Sequence, residues 1–212
     1  MLKKNLEFRR IAQIDTILTD YKTPEVCDKY ISQNFIGYDK EGCPVYFSAL
    51  GNFDQKGVFK SANKIDIFKC CIQMIEGSKE KMKLQSKKLD KPVTQCIYIY
   101  DMDNLTLAKA THKHTDSFLM GIELFLLAVG MFLDNYPEIL KCVYVLNASS
   151  YFTLVFPLVK AILSGSILNK ITIFGKDGYK EELLKVIDAA TLPAFLGGKK
   201  TDPDGNPRCE TY

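Results

Sequence analysis

The sequence predicts an α/β fold with a mostly parallel β-sheet, and two observations support this prediction. In the second half of the chain, short apolar segments alternate with longer segments of helical periodicity. Strands separated by helices imply β-α-β crossovers and therefore parallel neighbours. The segments 94–101 and 142–147 are also too apolar for strands with one solvated face, which is typical of parallel strands buried on both faces.

The first half of the chain predicts two helices, a hairpin and a long helix. Residues 2–17 have apolar positions at near-helical spacing and predict one amphipathic helix. Thr23-Pro24 predicts the start of a second helix that ends near Ile31. Residues 35–50 predict a β-hairpin. Ser61 is predicted to cap a long helix whose lysine-rich end indicates a solvated surface rather than a membrane-docking patch.

The second half is predicted to contain, in order, helix 115–134, strand 142–147, helices across 151–168, strand 170–174 and helix 179–189. The segment 117–133 is nearly all apolar and about as long as the shortest membrane span, roughly 17 residues. Because Glu123 lies within this segment, we interpret it as a buried or lipid-facing helix rather than a span.

Composition limits the class of protein. A chain of 212 residues is long enough for one full domain. Its net charge of +3 is too small to indicate nucleic-acid binding. The seven cysteines include no C-x-x-C pair, so we expect reduced thiols and a cytoplasmic protein. The N-terminus shows no apolar signal-peptide core.

The stretch 135–175, which includes the apolar segment 151–163, holds more apolar surface than a strand and a helix of this size need for packing. Glu138 and Lys170 lie at its two ends. Apart from tyrosine and cysteine, Lys160 is the one ionisable residue between positions 142 and 169. The pattern predicts a compartment for a hydrophobic molecule with a polar head.

Motifs for catalysis are missing from the sequence. No G-x-G-x-x-G follows a strand, and neither a phosphate-binding G-x-x-x-x-G-K-[ST] nor a G-x-S-x-G elbow is present. His112 and His114 are too few for a metal site, which usually needs three or four ligands. We therefore expect no enzyme activity, no cofactor and no metal.

Several motifs occur in one collinear order: Asp39–Tyr46, Tyr136–Glu138, Val143–Ala148, Lys170–Gly175, Tyr179–Leu184, and Leu192-Pro193 followed by Gly197-Gly198. In order and spacing they resemble the CRAL-TRIO lipid-binding domain. The segments Leu6–Arg10, Pro24–Val26 and Thr201–Pro207 further resemble the animal branch that contains supernatant protein factor, or tocopherol-associated protein.

The resemblance implies three parts and a fold. Residues 1–33 would be a remnant of an N-terminal helical lobe, 34–200 the lipid-binding domain, and 201–212 an exit segment toward a missing GOLD-like domain. The domain would have a sheet as the floor of an apolar lipid cavity, helices on one face, and a helical gate at 151–168. Apolar gate residues would contact the ligand: Phe152, Val155, Phe156, Val159, Ile162 and Leu163. The alternative for this segment is an ordinary amphipathic core helix.

The resemblance also implies positions for a lipid head group. In relatives that exchange phosphatidylinositol, a glutamate after Tyr-Pro and a lysine before the Ile-x-Ile strand contribute to head-group recognition. These residues are Glu138 and Lys170 here. A threonine of that set is replaced by Ile167, which removes one hydrogen bond to phosphate.

At the positions that bind choline in members of the family, this sequence differs more. These positions fall here on Phe35, Tyr46, Ile75, Cys96 and Tyr98. Only Tyr46 keeps the family's residue type, and a choline cage needs several aromatic faces. The remaining side chains suit a less polar ligand such as tocopherol, squalene or another isoprenoid.

We therefore expect a monomeric lipid-binding or lipid-transfer protein that shields one hydrophobic small molecule or phospholipid and visits membrane surfaces transiently. A lipid-sensing regulatory module without net transfer is the alternative, and an enzyme on a doubly wound sheet is a third class.

Overall fold

A five-stranded sheet organises the fold of the chain, whose structure is a computed structural model that describes residues 2–31, 33–105 and 115–209. The strands lie in the order β1-β2-β3-β4-β5. β1 pairs with β2 in antiparallel fashion, and every other neighbouring pair is parallel. The predicted α/β fold with a mostly parallel sheet is confirmed. The strands are β1 (Asn34–Tyr38), β2 (Pro44–Ser48), β3 (Cys96–Asp101), β4 (Leu140–Leu146) and β5 (Ile171–Ile173).

Helices connect and cover these strands. Within the described residues they are α1 (Leu2–Ile11), α2 (Glu25–Tyr30), α3 (Gln55–Ser61), α4 (Lys64–Leu89), α5 (Thr115–Asn135), α6 (Ser150–Lys160), α7 (Gly165–Leu168) and α8 (Tyr179–Val186). None of these helices combines the length and apolarity needed to cross a bilayer, among the residues described.

Two of the predicted helix boundaries are wrong. The first helix ends at Ile11, because Gln13 adopts a left-handed backbone (φ 54°) and a separate 3₁₀ turn follows. Ser61 does not cap the long helix but ends the unpredicted α3. The cap of α4 is Asn63, whose side-chain oxygen accepts the Asp66 N–H at 2.8 Å.

The sheet divides the core into two layers. On one face, side chains of β2 and β3 pack against α4 and α5, and the buried residues there include Tyr46, Ile72, Ile75, Cys96, Tyr98 and Met131. On the opposite face, α8 and the segment after it cover the sheet, so helices lie on both faces and not on one as predicted. The residues buried there include Val45, Ile97, Ile99, Leu183, Ile187 and Leu192. The alternating direction of strand side chains produces this separation.

A buried carboxylate joins α1, α4 and the end of α5. Glu76 is 7% exposed and accepts hydrogen bonds from Arg9 at 3.0 Å and from the Tyr136 hydroxyl at 2.9 Å. Lys79 lies 3.0 Å from the second carboxylate oxygen and 5.6 Å from the centre of the Tyr136 ring. Because the Glu76 carboxylate has two cations and a hydroxyl as partners, these interactions offset the free-energy cost of burying its charge.

We expect Glu76→Gln to lower the free energy of unfolding by about 2 kcal/mol, because two cations lose their charged partner beside a buried site. Urea denaturation followed by circular dichroism measures this change. The control is Glu80→Gln, which removes the exposed ion pair with Lys83 and should leave the midpoint nearly unchanged. Equal midpoints for Glu76→Gln and the unmodified chain would contradict the role given to Glu76.

Candidate functional site

The sheet face toward α4 and α5 brings together six of the residues predicted to surround the ligand. Tyr46 and Tyr98 are Cα partners in the parallel β2–β3 pairing. Cys96 lies two residues before Tyr98 and therefore faces the same side. Six of the predicted residues belong to this one side-chain cluster: Phe35, Tyr46, Ile75, Cys96, Tyr98 and Ile167.

Aromatic rings form a continuous stack across this face. Tyr46 lies between Phe35 and Tyr98, with ring centres 5.7 Å and 5.8 Å away. The Tyr98 ring is nearly parallel to Tyr100 at 6.1 Å and meets Phe132 of α5 edge-on at 6.4 Å. Tyr100 and Phe132 were not among the predicted site residues. The two-residue spacing from Tyr98 is a signal that could have identified Tyr100.

Two tyrosine hydroxyls in this stack lack hydrogen-bond partners among the described residues. Tyr46 and Tyr98 are each 5% exposed, and the oxygen atoms of both hydroxyls are buried. Burial raises the pKa of Tyr46 to about 12 and the pKa of Tyr98 well above its ordinary value. Both groups therefore keep their protons at neutral pH and can donate a hydrogen bond.

The same face is incompletely covered toward β4. A central parallel strand is normally buried on both faces. Yet Val143 of β4 is only half-buried, as are Tyr100 of β3 and Phe132 of α5. These three side chains pack against the buried cluster and still keep some access to solvent. Some apolar surface of this sheet face therefore stays accessible to solvent.

The predicted gate consists of α6 and α7. Phe152 and Phe156 are half-buried and stack on each other with ring centres 5.4 Å apart. Ile167 of α7 packs against the buried cluster. The remaining gate residues are Val159 and Leu163, which are half-buried, Ile162, which is 43% exposed, and Val155, whose side chain lies outside the described part of the structure.

The predicted head-group residues meet at the amino ends of β4 and β5. The Lys170 ammonium group donates to the Leu140 carbonyl oxygen at 2.8 Å and lies 3.4 Å from a Glu138 carboxylate oxygen. The side chain of Glu138 is 88% exposed, so this ion pair is largely hydrated. Lys170 is thus held in place mainly by the backbone of β4.

An open groove of about 670 Å³ lies beside this pair, between α4 and the segment before β4. Pro137 and Ile139, which flank Glu138, line it together with Met82 and Val93. Three lysines one helical turn apart line its α4 side, namely Lys79, Lys83 and Lys87. None of the residues predicted to surround the ligand lines this groove, so it is separate from the sheet face described above.

One group of side chains has the spacing of a possible metal site. The ligand atoms of Asp39, Glu41 and Cys43 lie within 4.8 Å of one another. However, the Asp39 carboxylate already accepts the N–H groups of Glu41 and Cys43 and pairs with Lys141 at 2.6 Å. These contacts hold the β1–β2 turn and supply a cation to both acids, so the group is explained without a metal. His112 and His114 lie outside the described residues.

Comparison with known proteins identifies related chains. Residues 28–198 match the CRAL/TRIO domain. The chain is 30% identical over 205 residues to Protein real-time of Anopheles gambiae and 27% identical over 208 residues to Protein ctg-1 of Caenorhabditis elegans. These alignments cover 93% and 98% of the chain but 28% and 52% of the two relatives. The chain therefore spans about half or less of the relatives' length.

A solved structure has the same fold. The crystal structure of Sfh5 superposes on the chain with a TM-score of 0.73, covering 98% of this chain and 68% of that one. Because the two sequences are only 16% identical, this similarity concerns the fold alone.

The buried thiol of Cys96 predicts a pH dependence. Burial raises its pKa from 9.0 to about 12, so the unfolded chain loses this proton at lower pH than the folded chain. The contribution of this thiol to stability is complete below pH 9 and falls as pH rises toward 12. When the pH rises from 8 to 10, the free energy of unfolding should fall by about 1 kcal/mol less for Cys96→Ala than for the unmodified chain. Urea denaturation at the two pH values measures this difference. Cys209→Ala serves as the comparison: burial also raises the pKa of this half-exposed thiol, but less than that of Cys96, so its loss should change the slope less. An equal slope for Cys96→Ala and the unmodified chain would contradict this assignment.

Proposed function

Because the chain belongs to the CRAL/TRIO domain family, we propose that it binds one hydrophobic molecule in its interior and exchanges it at membrane surfaces. Proteins of this family bind or transfer lipids and related hydrophobic ligands and are not enzymes. The ligand, the exchange between membranes and the membrane contact are the specific parts of the proposal.

The incomplete cover over the sheet is the observation that supports ligand binding most directly. Val143 lies on a central strand and is flanked by β3 and β5, yet its side chain is only half-buried. Burying apolar surface is favourable by roughly 25 cal/mol per Å². A hydrophobic ligand on this surface would therefore gain binding free energy from area that the protein leaves uncovered. The half-buried aromatic pair of α6 offers further apolar contact.

Exposed apolar residues on the gate support exchange at a membrane. Leu158 is 48% exposed and Ile162 is 43% exposed, and both lie in or directly after α6. Pro157 interrupts the helical hydrogen-bonding pattern within α6, which lowers the cost of moving its two ends relative to each other. We propose that the gate opens against a bilayer, where these side chains gain an apolar environment. We further propose that the protein is a monomer in the cytoplasm and that it binds membranes transiently.

A vesicle assay tests the exchange. Donor vesicles that contain a fluorescent lipid and a quencher are mixed with unlabelled acceptor vesicles, and the rate of fluorescence recovery is measured with and without protein. We expect the protein to accelerate transfer, and Leu158→Glu, which places a charge on the exposed side of the gate, to slow transfer without changing ligand affinity. Saturable binding with no acceleration would instead favour a lipid sensor.

Lys170→Ala distinguishes the classes of head group. Lys170 is the predicted contact for an inositol phosphate, so its loss should weaken phosphatidylinositol binding roughly tenfold, as expected for a hydrogen bond to a charged group. Affinity for a neutral isoprenoid should not change. Lys185→Ala on α8, at the opposite face of the sheet, is the matched control. Equal effects on both ligands would show that Lys170 is not a head-group residue.

A further inference from the structure

The groove between α4 and the segment before β4 combines a recessed apolar floor with one cationic wall. Met82, Val93 and Ile139 line the groove and are only 4%, 5% and 5% exposed. The wall on the α4 side carries three lysines, whose alkyl chains add apolar surface above this floor. No carboxylate is found among the described residues that line the groove. The groove therefore places three positive charges beside an apolar surface without a negative charge of its own to offset them.

These lysines are able to pair with an incoming acidic group. Lys87 is exposed and makes no ion pair with any residue that the structure describes. Lys83 pairs with Glu80 at 2.5 Å, and both side chains are exposed. Because exposed ion pairs contribute little to stability, an acid of a partner can replace Glu80 at small cost. Lys79 differs, since it also pairs with the buried Glu76 at 3.0 Å and belongs to the structural network described above.

Hydrogen bonds fix the segments that face α4 across the groove. The Ser86 hydroxyl of α4 accepts the Val93 N–H at 2.8 Å and donates to the Val93 carbonyl oxygen at 3.2 Å, so it ties the segment before β3 to the helix. The Gln95 side chain donates to the Glu138 carbonyl oxygen at 3.1 Å and ties the segment before β4 to β3. A partner would therefore bind a surface that is already formed and would lose little free energy to ordering it.

The shape of the groove favours a protein helix over a bilayer as its occupant. A membrane surface is flat on this scale, so it would reach the lysine ammonium groups and leave the recessed Met82 and Val93 without contact. A helix presents a row of side chains that can enter the groove, whose volume of about 670 Å³ has room for several of them. From Lys79 to Lys87 the lysines span about 12 Å along α4. Acidic residues at three- to four-residue spacing on a helix beside α4 have the same repeat.

We propose that this groove docks an amphipathic helix of a partner protein whose apolar face is bordered by aspartate or glutamate residues. The apolar side chains of that helix pack on the floor, and its acidic residues pair with Lys83 and Lys87. Charge complementarity sets the partner's orientation and excludes basic helices, while burial of apolar surface supplies affinity. The inference goes beyond lipid binding, because the groove is separate from the sheet face toward α4 and α5. It gives a lipid carrier a means of attachment to one class of partner.

Synthetic peptides test the groove. The probe is a fluorescein-labelled helical peptide of about 15 residues, roughly four turns, with leucines on one face and glutamates along its edge. Fluorescence anisotropy with the full chain measures its affinity, and we expect saturable one-to-one binding. A peptide with lysine in place of each glutamate, a peptide with serine in place of each leucine, and a scrambled peptide of the same composition should each bind roughly tenfold more weakly or less.

Charge reversal in the protein locates the binding site. Lys83→Glu combined with Lys87→Glu should weaken the acidic peptide roughly tenfold and should strengthen binding of the lysine peptide, since the favourable pairs are restored with opposite signs. The matched control combines Lys60→Glu with Lys88→Glu, which changes the net charge equally at exposed residues outside the groove. It should bind both peptides like the unmodified chain. Circular dichroism melting checks that every variant is folded.

Three results would overturn the docking site. The first is absence of saturable binding by the acidic peptide. The second is equal weakening by the groove variant and its matched control, which would show attraction to net charge alone. The third is a groove variant that loses cosedimentation with phosphatidylserine vesicles while its peptide affinity is unchanged, because the lysines would then contact a membrane. Leu158→Glu on the gate should leave peptide affinity unchanged, so failure of lipid exchange and failure of docking are distinguishable.

Discussion

The parallel pairing of β2 with β3 is the constraint on which the interior site depends. This pairing places Tyr46 directly beside Tyr98. The pleat then directs Tyr46, Cys96 and Tyr98 toward α4 and α5, and directs Ile97 and Ile99 toward α8. A shift of one residue in β3 would exchange Cys96 and Tyr98 with Ile97 and Ile99. Tyr98 would then lie under α8, on the opposite side of the sheet from Tyr46, and the aromatic stack that faces α4 and α5 would be broken.

The two sheet faces differ in how completely helices cover them. Under α8, the side chains of Leu183, Ile187 and Leu192 are fully buried, and this layer has the close packing of an ordinary core. On the other face, Val143 and Tyr100 are only half-buried. The layer under α8 is thus the more completely covered of the two, and the other layer leaves apolar surface that the proposed ligand would cover. Ligand loss would then not require unfolding of the sheet.

Local sequence signals predicted the sheet and most helices, whereas the details of the site depend on contacts between distant residues. The apolar strands and the family motifs were sufficient for the parallel topology and for the helices across 151–168. The sequence could not decide which face of β3 meets the helices, because residues 96–100 are apolar or aromatic on both faces. Glu76 is 67 residues from Arg9 and 60 from Tyr136, so no local pattern revealed their contact. The start of α4 was misplaced because Ser61 and Asn63 are both good capping residues.

Native mass spectrometry of the chain, purified without added lipid or detergent, tests the central claim most directly. If the apolar sheet face toward α4 and α5 binds a ligand, the spectrum should show the chain carrying one small hydrophobic molecule, which organic extraction removes. Incubation of the extracted protein with mixed-lipid vesicles should restore a one-to-one complex. A spectrum with only the mass of the chain, both as purified and after incubation, would contradict the account.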